Sequence, residues 1–159
     1  MSATIGNEIA KLVAKDEFLP VIQFAFLLDG KPAAFNSMLK SFAANDLTIL
    51  AISFLENSET AIVRCVVNYP DAMRKIFAET EIQCVETKVM AIEIATPSDM
   101  SKVINAIFAA EVKLHYMYPF ITRPNGKIGI VLQTENNAFA ATVLRRAGMK
   151  TISQSDVGR

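Results

Sequence analysis

An internal repeat constrains this chain more than any other feature. Pro32, Phe35, Met38, Leu39, Phe42 and Leu47 are each matched, 65 positions later, by Pro97, Met100, Val103, Ile104, Ile107 and Val112. Within each set the spacing is close to the i, i+3, i+4, i+7 pattern of one helical face. Each set opens on proline, which suits the first turn of a helix because its missing N–H has no partner to lose there. A second register, 67 positions apart, joins Met73, Ile76 and Phe77 to Ala140, Val143 and Leu144. The offset grows across a turn, where an insertion disturbs least.

The segments around these helices repeat as well. Strand-like runs Val21–Leu28 and Val89–Ile94 precede the first helices, and Thr48–Leu55 and Leu114–Ile121 follow them. Turn signals come next, Glu56 to Glu59 and the Arg-Pro-Asn-Gly of 123–126, which predict β-hairpins leading to third strands Ala61–Val67 and Ile128–Thr134. Second helices begin at Pro70-Asp71 and Asn136-Asn137, the latter with Ala140, Val143, Leu144 and Ala147 as its stripe and Gly148 as its C-cap. Final strands are expected at Gln83–Lys88 and Thr151–Asp156.

The order is β-α-β-β-α-β, twice. It predicts an α+β chain of two ferredoxin-like βαββαβ repeats, each an antiparallel sheet of strand order 4-1-3-2 with both helices on one face. The expected division is an N-terminal helix or arm at 1–16, a first unit at 17–88 and a second at 89–157.

Composition narrows the function. Sixteen basic residues balance sixteen acidic ones in the 159-residue chain, which argues against a nucleic-acid binder relying on phosphate attraction. The two cysteines, Cys65 and Cys84, form neither a disulfide framework nor a metal set, and one histidine leaves little for zinc. In the 4-1-3-2 order the first strand separates the two thiols. The N-terminus lacks a basic segment followed by a sustained apolar core. The longest apolar runs are strand-length and are broken by Gln23 and Ser53, so no membrane span is expected. These readings give a cytoplasmic protein with reduced thiols.

No constellation for chemistry emerges. The third strands AIVRCVV and IGIVLQT carry no aromatic residue on which RNA bases would stack. The loops DGKPAAF and ATPSDM hold no cysteine, arginine or histidine, against a copper-carrying or acylphosphatase-like site. There is no nucleophile elbow, phosphate loop or paired carboxylate, so neither catalysis nor a cofactor is expected.

The segments FAFLLDGKPAAF with FAANDLTILAISF, and VMAIEIATPSDM with IFAAEVKLHYMYPF, resemble a pair of ACT domains, small regulatory modules that bind amino acids at their interfaces. KLHYMYPF in particular is similar to the second domain of bacterial stand-alone tandem-ACT proteins. The resemblance covers about residues 17–157. It implies a non-catalytic regulatory or sensor protein binding an amino acid or similar metabolite against Asp29, Gly30, Lys31, Pro32, Ala33 and Ala34, and against Ala95, Thr96, Pro97 and Ser98. The family's loop reads Asp/Asn-x-Pro-Gly. Here the Gly position holds Ala33 and Ser98, and the acidic position holds Gly30 and Ala95, with Asp29 one residue early and available for an ammonium group. Two further readings follow from the same resemblance. One is a regulatory subunit of an amino-acid biosynthetic enzyme, similar to the acetolactate synthase small subunit and paired with a catalytic subunit. The other is a ligand-free dimerisation module.

The remaining distinctive residues read as structural. His115 stands alone as a packed or surface residue. Leu114, Tyr116, Tyr118 and Phe120 share a strand face by the period of two and are expected to pack at an interface. Arg64, on a strand expected to be central, calls for a salt bridge or an exposed sheet face. Arg145-Arg146 complements a helix dipole. VIQFAFLL, TILAISFL and AIVRCVV are apolar at both parities, so both faces of the first sheet must be covered. The partner repeat, a second chain or a larger sheet would do this, and a homodimer is expected.

Overall fold

The computed structural model describes residues 4–5, 18–28 and 32–158. The first repeat comprises β1 (Val21–Leu28), α1 (Pro32–Ala44), β2 (Ile49–Glu56), β3 (Ala61–Val67) and α2 (Pro70–Thr80). After it come β4 (Cys84–Ile94), α3 (Asp99–Ala109), β5 (Leu114–Pro119), β6 (Ile128–Thr134), α4 (Asn137–Arg146), β7 (Lys150–Ile152) and the short α5 (Gln154–Val157). The arm expected at 1–16 lies outside the described residues apart from Thr4 and Ile5. Local chemistry sets the helix ends. Pro70 fills the first turn of α2. The Asn136 side chain accepts the Phe139 N–H at α4. Gly148, at φ +92°, takes the left-handed position just past α4.

The expected strands Gln83–Lys88 and Val89–Ile94 are one continuous strand. Its first half pairs with β1, from Val21–Val89 to Phe26–Cys84, and its second half pairs with β6 and β7. The sheet runs β2-β3-β1-β4-β6-β5, with β7 also on β4. Each repeat taken separately therefore has the order 4-1-3-2, with β4 serving as the last strand of one and the first of the other.

Three apolar clusters fill the molecule. Phe24, Phe26, Val63, Cys65 and Val67 meet Met38, Phe42, Met73, Ile76 and Phe77 beneath α1 and α2. Phe77 packs against both β1 phenylalanines, at centroid distances of 5.8 and 5.3 Å. Met90, Ile92, Ile94, Ile130 and Leu132 meet Val103, Ile107, Ala140, Ala141 and Leu144 beneath α3 and α4. The third cluster lies on the helix-free side: Val21, Leu50, Ala51, Val66 and Val89 meet Ala91, Tyr118, Phe120, Val131, Ile152 and Val157. The partner repeat therefore covers much of the second face of the first sheet. The ends of the strand path also come together. Ala51 bridges Phe120, and the Ile121 N–H donates to the Leu50 carbonyl at 2.8 Å.

Three local expectations need correction. The final strand, expected at Thr151–Asp156, stops at Ile152. Ser153 then forms a capping box with Asp156 and starts α5, and this local hydrogen bonding replaces further ladder pairing. Leu114 does not share a face with Tyr116, Tyr118 and Phe120. A register shift between Leu114 and Tyr116 turns it toward the α3–α4 core. Ala147 is exposed at the end of α4, and Ala141 is buried in its place. Of the two options for Arg64, among the described residues it makes no salt bridge and instead lies half-buried on the helix-free sheet face, its guanidinium carbon 4.0 Å from the centre of the Tyr116 ring.

Candidate functional site

The two loops singled out by sequence each connect a strand end to a helix N-terminus, where unpaired N–H groups and the helix dipole favour an anion. In the second repeat Ala95, Thr96, Pro97 and Ser98 are all exposed. Asp99, in the first turn of α3, folds back over them. Its carboxylate accepts the Thr96 N–H at 3.1 Å and the Lys102 ammonium at 3.2 Å. The Thr96 N–H bond, with Lys102 second, holds the Asp99 carboxyl below its usual range. The Asp99 and Met100 N–H groups donate to the Thr96 and Pro97 carbonyls. This loop therefore supplies its own anion. Ser98 sits at φ −64°, ψ −21°, a helical conformation open to any residue, so glycine is not required there.

In the first repeat Asp29, Gly30 and Lys31 lie outside the described residues. Pro32 and Ala34 belong to α1, and Ala33 is exposed. The first turn of α1 carries no acidic residue, unlike that of α3. The described strand ends that lead into the two loops lie far apart. β1 and β4 are antiparallel, and Phe26 pairs with Cys84 at the start of β4, whereas the second loop leaves from Ile94 at its far end. Eleven extended residues separate these ends by roughly 30 Å.

A polar group that sequence reasoning did not assemble lies between the repeats. Gln23 is fully buried on the helix-free face of β1. Its Nε2 donates to the Tyr116 hydroxyl at 2.8 Å, and its Oε1 accepts from the Tyr118 hydroxyl at 2.7 Å. The Tyr116 and Tyr118 rings stack with centroids 6.4 Å apart. Burial pushes the Tyr118 phenol well above its ordinary value. Arg64 completes the group by stacking on Tyr116. The signal in the sequence was polar: Gln23 and Ser53 interrupt otherwise apolar strands, and both fall on this face. His115 is exposed. Cys65 and Cys84 are both free. Among the described residues no helix is long and apolar enough to cross a membrane, and no cluster of potential metal ligands occurs.

Comparison with known proteins agrees with this architecture. Among solved structures, protein BT0572 from Bacteroides thetaiotaomicron superposes with a TM-score of 0.79 at 22% identity, over 89% of this chain and 98% of that one. The ligand-free regulatory subunit of aspartate kinase from Thermus thermophilus gives 0.54 at 13% identity, over 81% and 93%. The corresponding subunit from Thermus flavus gives 0.50 at 13%, over 82% and 94%. At these identities the likeness concerns the fold. No curated protein matches the sequence. The family described as an ACT domain pair matches residues 19–159. With nearly the whole chain covered and both repeats built alike, this protein belongs to the ACT domain pair family.

Proposed function

We propose that this protein is a non-catalytic regulator that binds an amino acid or similar small metabolite at the loop from Asp29 to Ala34. One observation carries the choice of loop. Asp99 already occupies the N-terminal turn of α3, whereas the first turn of α1 has no acid of its own. The α1 terminus is thus the one that favours a ligand carboxylate, with Asp29 as partner for its ammonium. A ligand acts by binding one arrangement of the protein better than another. Thermal-shift measurements across the twenty amino acids test this reading. At least one should raise the melting temperature, and Asp29→Ala should abolish the shift. No shift with any of them removes the proposal.

Two assembly readings accompany it. Among the described residues nothing pairs with the outer edge of β2 beyond Ala51, and Phe54 and Leu55 are each 57% exposed there. Edge pairing between two copies would cover it, giving a homodimer. Light scattering that shows only monomer at micromolar concentration rules this out. The two aspartate kinase subunits favour a second reading, in which the chain is a regulatory subunit acting on a separate cytoplasmic biosynthetic enzyme. Affinity purification from cells that retains a larger catalytic chain would support it.

A further inference from the structure

The ladder between β1 and β3 ends one step early. It runs from Leu28–Ala61 to Phe24–Cys65. Amides two apart on a strand point the same way, so in this register Ile22 and Val67 would form the next rung. They do not pair. The Gln154 side chain, from the second repeat, stands between them. Its Oε1 accepts the Ile22 N–H at 3.0 Å, and its Nε2 donates to the Val67 carbonyl at 2.9 Å. A primary amide offers the same donor and acceptor as a peptide unit. Gln154 thus stands in for backbone, from 87 residues beyond Val67 in sequence.

The element that carries Gln154 is slight. α5 has four residues, too few to persist as a helix by itself. The Ser153–Asp156 capping box starts it, and Val157 enters the inner core. Gly158 comes so near the first repeat that a Cβ on it would stand 3.0 Å from the Asn68 carbonyl oxygen. α5 is therefore a strap that the end of the second repeat lays on the first. Lifting it strands no backbone group at the rung, because the Ile22 N–H and the Val67 carbonyl can then bond each other. That avoids the usual cost of a buried donor and acceptor left unmade.

We infer that α5 is a two-position strap. Docked, Gln154 holds β1 and β3 apart at Ile22 and Val67; lifted, the ladder closes there by one pair. The next residue of β1 is Gln23, whose amide bonds the Tyr116 and Tyr118 hydroxyls of the second repeat. Closing the rung shifts the strand at that point, so the position of the strap sets how the two repeats meet along this seam. The strap does not depend on the proposed amino-acid loop.

Hydrogen exchange and NMR on the full chain test the strap. The Val157 and Gly158 amides donate to the Ser153 and Gln154 carbonyls. In wild type they should exchange about a hundredfold faster than the Phe26 amide, because α5 opens without the sheet. Gln154→Ala should speed both about tenfold and leave Phe26 unchanged. It should also bring up a scalar coupling across a hydrogen bond from the Ile22 amide to the Val67 carbonyl, absent in wild type. Ser153→Ala, which loosens the strap while keeping Gln154, should speed Val157 and Gly158 about fivefold. The inference is overturned if Val157 exchanges as slowly as Phe26 in wild type. It also fails if the Ile22 amide of Gln154→Ala gains no carbonyl partner and exchanges freely, since Gln154 would then be a fixed filler. A Phe26 rate that rises as much as the strap's in either variant overturns it too, because α5 would then open only with the whole fold.

Discussion

Gly129 shows how closely the second repeat is packed on itself. A Cβ built there would lie 2.6 Å from a ring carbon of Phe120, whose own N–H donates to the Gly129 carbonyl at 2.8 Å. The ring occupies the space that a Cβ would need, so any side chain displaces it from the inner core. Gly129→Ala should cost about 1–3 kcal/mol through overpacking, and Phe120→Leu in the same chain should recover part of it, as read by urea denaturation. Cys65 gives a pH signature. Burial, and secondarily Cys84, pushes its thiol from 9.0 up to about 12. The unfolded chain therefore loses this proton first, so stability is fully present below pH 9 and falls as pH rises from there toward 12. Burial raises Tyr118 in the same sense, adding to the loss above pH 10. Urea midpoints should drop more between pH 8 and 10 in wild type than in Cys65→Ala.

At the scale of elements, the helices and most strands were legible because each carries its own periodicity. Val21–Leu28, Ala61–Val67 and Ile128–Thr134 have the bounds that their apolar runs suggest. What was not legible depends on distant partners. The twist of β5 that separates Leu114 from Tyr116, and the early end of β7, follow from a register shift and a capping box that no hydrophobic pattern records. The merging of Gln83–Lys88 with Val89–Ile94 was visible only as a missing turn between them. The candidate loops were legible as positions, but Asp99 closing its own loop is a matter of geometry. Likewise Gln23 and Ser53 could be seen to interrupt strands, while their common face with Arg64 needed the pairing register. The shared strand can be tested directly. One glycine inserted after Val89 would turn Met90, Ile92 and Ile94 from the α3–α4 core to the opposite face. That variant should lose cooperative melting, seen as a broad transition by circular dichroism.

For the whole molecule, the two repeats share a strand and an inner core, so neither is complete without the other. A chain ending at residue 88 would expose Val21, Leu50, Ala51 and Val66, all buried in the intact protein. It should bind hydrophobic dye and associate in light scattering, whereas the full chain should melt in one transition. The closing contact between β2 and β5 has a further consequence. Every other neighbouring pair of strands along the path shares a ladder of several residues, while among the described residues the backbone pairing at this junction is one bridge and the Ile121 and Thr122 N–H groups on the Leu50 carbonyl. The ring of strands is thus fastened by a clasp, with β4 as the hinge line opposite it. A rise in strain would release the clasp before any ladder. The gap it opens would lie beside β2, so the two repeats would part there first while β4 still joined them.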